Sequence, residues 1–139
     1  MSKHSCASLV LRCIDFRIPP KNLSELLNTA GLCHDGDYDL VSVAGAGKDL
    51  LSANEAEKEF ILKQIRISKK LHEIKNIYIL MHDNCGAYGI ADAVQEEKTQ
   101  SEHLQIIREQ LIKEFPDIKI KGLIVTGVPS GSLGLKTIL

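Results

Sequence analysis

Residues 77–86 read IYILMHDNCG, an apolar run that ends in a histidine and a cysteine three positions apart. The run predicts a buried β-strand, with His82 and Cys85 just beyond its end. A histidine and a cysteine at this spacing can turn onto one metal ion, and zinc normally takes three or four protein ligands. The stretch therefore supplies half of a predicted zinc site, and the remaining ligands must come from elsewhere in the chain.

The composition of the 139 residues is ordinary for a globular protein, with 44% hydrophobic and 25% charged residues. This length predicts one domain over residues 1–139, with a loosely ordered tail at about 129–139. A formal net charge of −1 and an aromatic content of 4% argue against a nucleic-acid partner. No membrane partner is expected, because no apolar stretch could span a bilayer, and no signal peptide is recognisable. We therefore expect a cytoplasmic protein whose four cysteines are thiols or metal ligands.

Four apolar segments predict β-strands, at 7–13, 39–43, 77–81 and 118–125. Amphipathic patterns predict helices that begin near Asn22, Ser52 and Thr99, with a short helix at 90–95. The fourth strand alternates apolar residues with lysines, as an edge strand often does. Strands that alternate with helices indicate βαβ units and parallel pairing. The expected fold is a three-layer α/β fold whose mainly parallel, four-stranded sheet carries helices on both faces.

Cys13 ends the first predicted strand, just as His82 and Cys85 follow the third. In an open parallel sheet, functional groups gather outside the carboxyl ends of the strands, where the strand order reverses. If the first and third strands are neighbours, as in the order 2-1-3-4, these three side chains meet there. Two thiolates and one imidazole suit zinc and leave one coordination position open for a water of lowered pKa.

Asp15 and Arg17 follow Cys13 by two and four residues. In an extended chain this spacing sends all three side chains to the same side. A carboxylate there could accept a hydrogen bond from a zinc-bound hydroxide, with Arg17 fixing it and partly neutralising it. Equally, Asp15 could fill the fourth coordination position and close the site.

Other candidate ligands are assigned no metal. Cys6 and the pair Cys33-His34 are expected to serve in core packing or as surface groups. His72 is expected at the surface near a helix end. The glycine-rich stretch 44–48 lacks the spacing of a Walker motif and predicts a tight turn between a strand and a helix.

The two motifs Cys13-x-Asp15-x-Arg17 and His82-x-x-Cys85-Gly86, taken together, resemble the signature of the β-class carbonic anhydrases. The resemblance covers about residues 7–125 and identifies the chain as a short, divergent member. It implies a parallel sheet of order 2-1-3-4, Zn²⁺ bound by the two cysteines and the histidine, and an aspartate–arginine pair beside the metal. The implied activity is that of a zinc lyase, the reversible hydration of carbon dioxide to bicarbonate by a zinc-bound hydroxide. A homodimer or a higher homo-oligomer is implied as well.

The pocket around the metal is less well defined by the sequence. The family often carries an Arg-Asn-Ala-Gly-Asn type segment after the second strand, of which this chain keeps only Ala44-Gly45. These two residues and Gly86 are the candidate pocket residues. Relatives with this fold hydrolyse carbonyl sulfide or carbon disulfide, so such a hydrolase is an alternative. A further alternative is a non-catalytic zinc protein, with its site closed by Asp15 or Cys33.

A proton shuttle is not indicated by any motif. The candidates by residue type are His34, His72 and His103.

Overall fold

The computed structural model describes residues 4–139, which alternate between strands and helices. The strands are β1 (Ser8–Arg12), β2 (Tyr38–Ser42), β3 (Asn76–His82), β4 (Lys119–Thr126) and β5 (Gly134–Thr137). The helices are α1 (Pro20–Thr29), α2 (Glu55–His72) and α3 (Ala93–Glu114), with a 3-10 helix at Ala46–Leu51.

The strands form one sheet in the order β2-β1-β3-β4-β5. The first four are parallel, and β5 runs antiparallel to β4. The predicted order 2-1-3-4 is therefore confirmed. The central strands β1 and β3 pair in register from Ser8 with Asn76 to Arg12 with Leu80. Their carboxyl ends consequently lie side by side.

Helices cover both faces of the sheet, which confirms the predicted three layers. Alternate residues of β1 point into two separate cores, as expected for a strand. Leu11 belongs to the core that contains Ile65 of α2 and Ile107 of α3, whereas Val10 belongs to the core that contains Leu23 of α1. Burial on both faces explains why β1 and β3 are continuous apolar runs.

The tail contains a fifth strand, so the expectation of four strands and a loosely ordered tail is wrong for Gly134–Thr137. This short segment has little strand signal of its own, and its order comes from pairing with Leu123–Thr126 of β4. The pairing also means that β4 is not an edge strand along its whole length. Its exposed lysines, Lys119 and Lys121, lie in the half that β5 does not reach.

The helix boundaries differ from the predicted ones where a stronger cap lies nearby. Asp92 caps α3 by accepting a hydrogen bond from the Gln95 N–H at 2.7 Å, so the predicted short helix and the following one form a single helix. Asn54, not Ser52, caps α2. Proline at the first position starts α1 two residues before Asn22. Among the helices of residues 4–139, none has the length and apolar character that a membrane crossing needs.

The turn before β5 offers a test of the ordered tail. Gly127 and Gly131 both have a positive φ, 75° and 79°. A Cβ at Gly127 would lie 2.0 Å from the Ser132 carbonyl oxygen, whereas a Cβ at Gly131 meets nothing within 4 Å. We predict that Gly131→Ala lowers the free energy of unfolding by about 1 kcal/mol, from backbone strain alone. Gly127→Ala should lower it by about 3 kcal/mol or more, because the clash adds to the strain. Urea denaturation measures both, and equal losses would contradict an ordered tail.

Candidate metal centre

Cys13, His82 and Cys85 meet at the carboxyl ends of β1 and β3. One ligand atom from each residue lies within 4.8 Å of the other two. The three residues are 6%, 1% and 4% exposed. The meeting follows from the pairing of Arg12 with Leu80, which brings the residues beyond both strands to one edge. The structure thus brings together the three ligands that the sequence predicts.

The imidazole of His82 is oriented for a metal. Its Nδ1 lies 2.6 Å from the Asp83 carbonyl oxygen, a contact in which the ring nitrogen donates. The tautomer then carries its lone pair on Nε2, which is buried and has no hydrogen-bond partner among the described residues. A buried polar atom without a partner costs about 1–3 kcal/mol, so its retention indicates a ligand. An imidazole nitrogen beside two thiols, fixed by a carbonyl behind the ring, is a donor set that fits zinc.

The thiol of Cys13 is poised as a thiolate. Its pKa is lowered by the adjacent Cys85 thiol, and further by the nearby His82 ring and the Gly45 N–H, against the opposing effect of burial. The Gly45 N–H lies 3.4 Å from the sulfur. Gly45 has a φ of 75°, and a Cβ there would lie 3.1 Å from the Lys48 Cβ. Glycine at this position therefore lets the backbone approach the sulfur.

Asp15 and Arg17 form a bidentate ion pair beside the cluster. Arg17 Nε donates to Asp15 Oδ1 at 3.0 Å, and Nη2 donates to Oδ2 at 2.8 Å. These bonds, with the Arg17 backbone N–H, hold the pKa of Asp15 at about 2. Asp15 Oδ2 lies 3.6 Å from His82 Nε2. An ionised carboxylate therefore faces the region where a metal on His82 would be.

Arg17 also connects the loop after β1 to the loop after β3. Its Nη1 donates to Asn84 Oδ1 at 2.8 Å, and its Nη2 donates to the Asn84 carbonyl oxygen at 2.9 Å. Asn84 has a φ of 52°, in the left-handed region that asparagine tolerates better than most residues. The guanidinium thus holds Asp15 and fixes the loop that carries Cys85.

Glu96, which the sequence did not single out, holds that loop from the other side. Its carboxylate is 3% exposed and accepts hydrogen bonds from the Asn84 N–H at 2.6 Å and the Cys85 N–H at 2.9 Å. Four residues later, Gln100 Nε2 donates to the His82 carbonyl oxygen at 2.8 Å. The sequence did contain a signal for Glu96 and Gln100, because both lie at helical spacing on the buried stripe of α3 that includes Leu104.

Arg12 is a second residue that the sequence did not reveal. It is 5% exposed at the end of β1. Its Nε donates to the Cys13 carbonyl oxygen at 2.5 Å, and its Nη2 donates to the carbonyl oxygens of Asp15 and Ile18 at 3.1 and 2.9 Å. One buried guanidinium therefore shapes the loop that presents both Cys13 and Asp15.

The candidate pocket residues occupy different places. Gly86 lines a cleft of about 470 Å³ together with Asp15, Phe16 and Arg17. Gly45 is buried against Cys13, as described above. Ala44 is exposed and is not among the residues that line this cleft.

The three candidate shuttle histidines also differ in position. His103 Nδ1 lies 2.9 Å from the hydroxyl of Tyr88, three residues after Cys85, and burial lowers the pKa of this histidine. His34 is exposed and contacts Asn28 near the end of α1. His72 ends α2 and lies near the amino end of β2, whereas Cys13 lies at the carboxyl end of β1.

Cys33, the alternative closing ligand, packs in the core on the α1 side of the sheet, separate from the core that contains Cys13. Burial raises the pKa of its thiol to about 11.

Comparison with known proteins supports the resemblance noted in the sequence. A family model described as "Putative carbonic anhydrase" matches residues 3–128. An uncharacterized protein of Rickettsia bellii is 32% identical over 125 residues, which cover 84% of this chain and 74% of that protein. An uncharacterized protein of Rickettsia conorii is 31% identical over 125 residues, which cover 84% of this chain and 66% of that protein.

Solved structures share the fold. A β-carbonic anhydrase structure from Sordaria macrospora, described as tetrameric, matches with a TM-score of 0.59 at 13% identity, over 95% of this chain and 81% of that chain. A carbonic anhydrase from Glaciozyma antarctica matches with a TM-score of 0.54 at 20% identity, over the same shares of the two chains. With the family model covering most of its length, the chain belongs to the carbonic anhydrase family, as a divergent member with the β-carbonic anhydrase fold.

Proposed function

We propose that this protein is a zinc-dependent carbonic anhydrase that converts carbon dioxide and water reversibly to bicarbonate. The observation that carries the proposal is the buried, unpartnered Nε2 of His82, which lies beside two thiols and 3.6 Å from an ionised carboxylate. Cys13, His82 and Cys85 would hold the zinc. Zinc bound by three protein ligands supplies Lewis-acid activation of water near neutral pH.

Asp15 has the role of orienting the reacting water. A carboxyl group with a pKa of about 2 carries no proton at neutral pH, so it acts as a hydrogen-bond acceptor and not as a proton store. Its Oδ2, on the side of His82 Nε2, accepts from the water and turns a lone pair of the water oxygen toward the substrate. Arg17 holds this carboxylate in position and is itself anchored on Asn84.

The ion pair also bears on whether the site is open. Arg17 bonds to both oxygens of Asp15, so the carboxylate already has a strong partner. Cys33 lies on the other side of the sheet. Both observations support an open, catalytic site over a non-catalytic zinc site closed by a fourth protein ligand.

The cleft beside Asp15 suits a small substrate with little polarity. Phe16 and Ile90 contribute apolar surface to it, and Arg17 contributes positive charge. Apolar surface suits the entry of carbon dioxide, and the guanidinium of Arg17 lies at the same cleft while it remains paired with Asp15. The four described cysteines are free thiols, which supports a reducing compartment such as the cytoplasm.

Two substitutions should separate metal binding from water orientation. Cys85→Ala is expected to lose zinc from the site and with it the activity, because it removes a ligand. Asp15→Asn is expected to keep the zinc but to lower kcat about 100-fold, because an amide can no longer offer the same acceptor to water. Elemental analysis and stopped-flow hydration of carbon dioxide, on the same samples, measure the two quantities.

Matched controls for these variants are Cys33→Ala, a buried cysteine on the other side of the sheet, and Asp117→Asn, an exposed aspartate. Both should keep zinc and activity. Equal zinc contents in the Cys85 and Cys33 variants would refute the ligand assignment. Zinc-loaded wild-type protein that turns over carbonyl sulfide or carbon disulfide faster than carbon dioxide would instead refute the substrate.

Glu96 should act on zinc affinity without touching the metal. Glu96→Gln leaves one carbonyl oxygen for two backbone N–H groups, so the loop that carries Cys85 loses a hydrogen bond. We predict a fall in zinc affinity of about 10- to 100-fold, which is the usual effect of removing a residue that positions a metal ligand without contacting the metal. Competition with a chromophoric chelator measures the Kd. Glu102→Gln, an exposed residue of the same helix, is the control, and identical Kd values for both variants would remove Glu96 from this role.

We further propose that the protein is a homo-oligomer whose subunit contact lies beside the cleft. Phe16 is 86% exposed and Ile14 is 60% exposed, and the two flank Asp15 in sequence. Exposed apolar side chains next to a functional cleft are typical of a surface that a partner covers. The Sordaria macrospora enzymes, which share the fold, are tetrameric.

Sedimentation velocity tests the oligomer. The wild-type protein should sediment as a dimer or larger species, and Phe16→Glu should shift it toward the monomer, because association would bury the new charge. Phe60→Glu places the same charge at an exposed phenylalanine of α2 and should leave the assembly unchanged. A monomeric wild-type protein at micromolar concentration would contradict the proposal.

A further inference from the structure

A second cluster of metal-ligand residues lies at the amino ends of the strands, whereas Cys13 lies at their carboxyl ends. Cys6 comes just before β1, Asp39 lies near the start of β2, and His72 ends α2. One ligand atom from each residue lies within 4.8 Å of the other two. Cys13 follows Cys6 by seven positions of nearly extended chain, which places the two clusters about 20 Å apart. The two sites are therefore independent.

Existing contacts hold the three side chains near one another. The Cys6 N–H donates to the His72 carbonyl oxygen at 3.0 Å, which fixes the backbone of the cysteine on the end of α2. His72 Nδ1 lies 2.7 Å from Asp39 Oδ2, and the Ser68 hydroxyl donates to the same oxygen at 2.6 Å. Three separate chain segments therefore hold the thiol, the carboxylate and the imidazole near one another.

His4 lines the same cavity as the cluster and lies outside the group of three whose ligand atoms are within 4.8 Å of one another. Its Nδ1 lies 3.1 Å from the Leu71 carbonyl oxygen, which leaves Nε2 free of that contact. The rings of His4 and His72 are 5.5 Å apart, edge to face. His4, Cys6, Asp39 and His72 all line one cavity of about 300 Å³, so an ion from solution can reach them.

The donor set indicates which metal would bind. One thiol, two imidazoles and one carboxylate combine soft and borderline ligands, which zinc accepts and which magnesium and calcium do not favour. An ion pair between Asp39 and His72 would alone explain their contact. The Cys6 thiol and His4 also contact backbone carbonyl oxygens, those of Ser8 and Leu71, so the observation that favours a metal is the mutual proximity of a thiol, an imidazole and a carboxylate.

We propose that Cys6, Asp39 and His72, with His4 as the fourth ligand, form a second, structural zinc site. Four protein ligands leave no open position, so the site is not catalytic. Its effect is to tie residues 4–7 to β2 and to the carboxyl end of α2. The sequence alone assigned none of these residues to a metal, because they come from three distant segments of the chain and have no recognisable ligand spacing.

Zinc titration of a chain without the first centre tests the proposal. Metal-free protein with Cys13→Ser and Cys85→Ser should still bind about one zinc per chain, since the second site needs neither residue. Adding Cys6→Ser to that chain should abolish this binding, whereas adding His34→Ala, at an exposed histidine elsewhere, should not. Cobalt gives a second readout, because the thiolate-to-cobalt charge-transfer band should be present in the first chain and lost with Cys6→Ser. Absence of zinc binding by the first chain, or unchanged binding after Cys6→Ser, would overturn the proposal.

The same question can be asked if the double variant does not fold. In the otherwise wild-type chain, Cys6→Ser should lower the zinc content by about one equivalent and leave the zinc of Cys13, His82 and Cys85 in place. Thermal denaturation should then show a smaller stabilisation by zinc than in the wild-type protein, because one native-state ligand is lost. An unchanged zinc content in Cys6→Ser would overturn the second site. If zinc were lost only in the Cys13 or Cys85 variants, the second site would be overturned and the first centre would still stand.

Discussion

The parallel pairing of β1 with β3 is the constraint on which the candidate centre depends. It places Arg12 opposite Leu80, so the chain leaves both strands at the same edge. Cys13 comes from one strand, and His82 and Cys85 come from the other. These residues are about seventy positions apart in the sequence and meet only because the strand order reverses at β1. A sheet in simple sequential order would separate them by the width of β2.

Charge balance explains how so many ionisable groups can share this edge. A buried charge is costly unless it is paired or hydrogen-bonded. Asp15 is neutralised by Arg17 in a bidentate pair, and the buried Glu96 carboxylate receives two backbone N–H groups at the start of α3, where the helix dipole favours a negative charge. Within residues 4–139, the Nε2 of His82 still has no hydrogen-bond partner, and no positively charged group is paired with the cysteine sulfurs beside it. A divalent cation would compensate these groups, which supports the proposed zinc site.

The sequence predicted the parts of the fold and the site that local patterns encode. Continuous apolar runs marked β1 and β3, and the rule for strand ends then joined Cys13 to His82 and Cys85. What it missed depends on contacts between distant segments. The strand at Gly134–Thr137 exists because β4 offers it an edge, and the link from Arg17 to Asn84 requires two loops to be folded. Glu96 was visible as a polar residue on the buried stripe of α3, but its role needed the position of the loop it holds.

The proposed function requires an open zinc centre at the carboxyl ends of β1 and β3. Anomalous X-ray scattering at the zinc edge, from crystals grown with zinc, tests it most directly. We expect a peak bonded to His82 Nε2 and to the sulfurs of Cys13 and Cys85, with Asp15 still paired with Arg17 and off the metal. A map without a peak between these three residues, or a peak bonded to Asp15 in place of water, would contradict the claim.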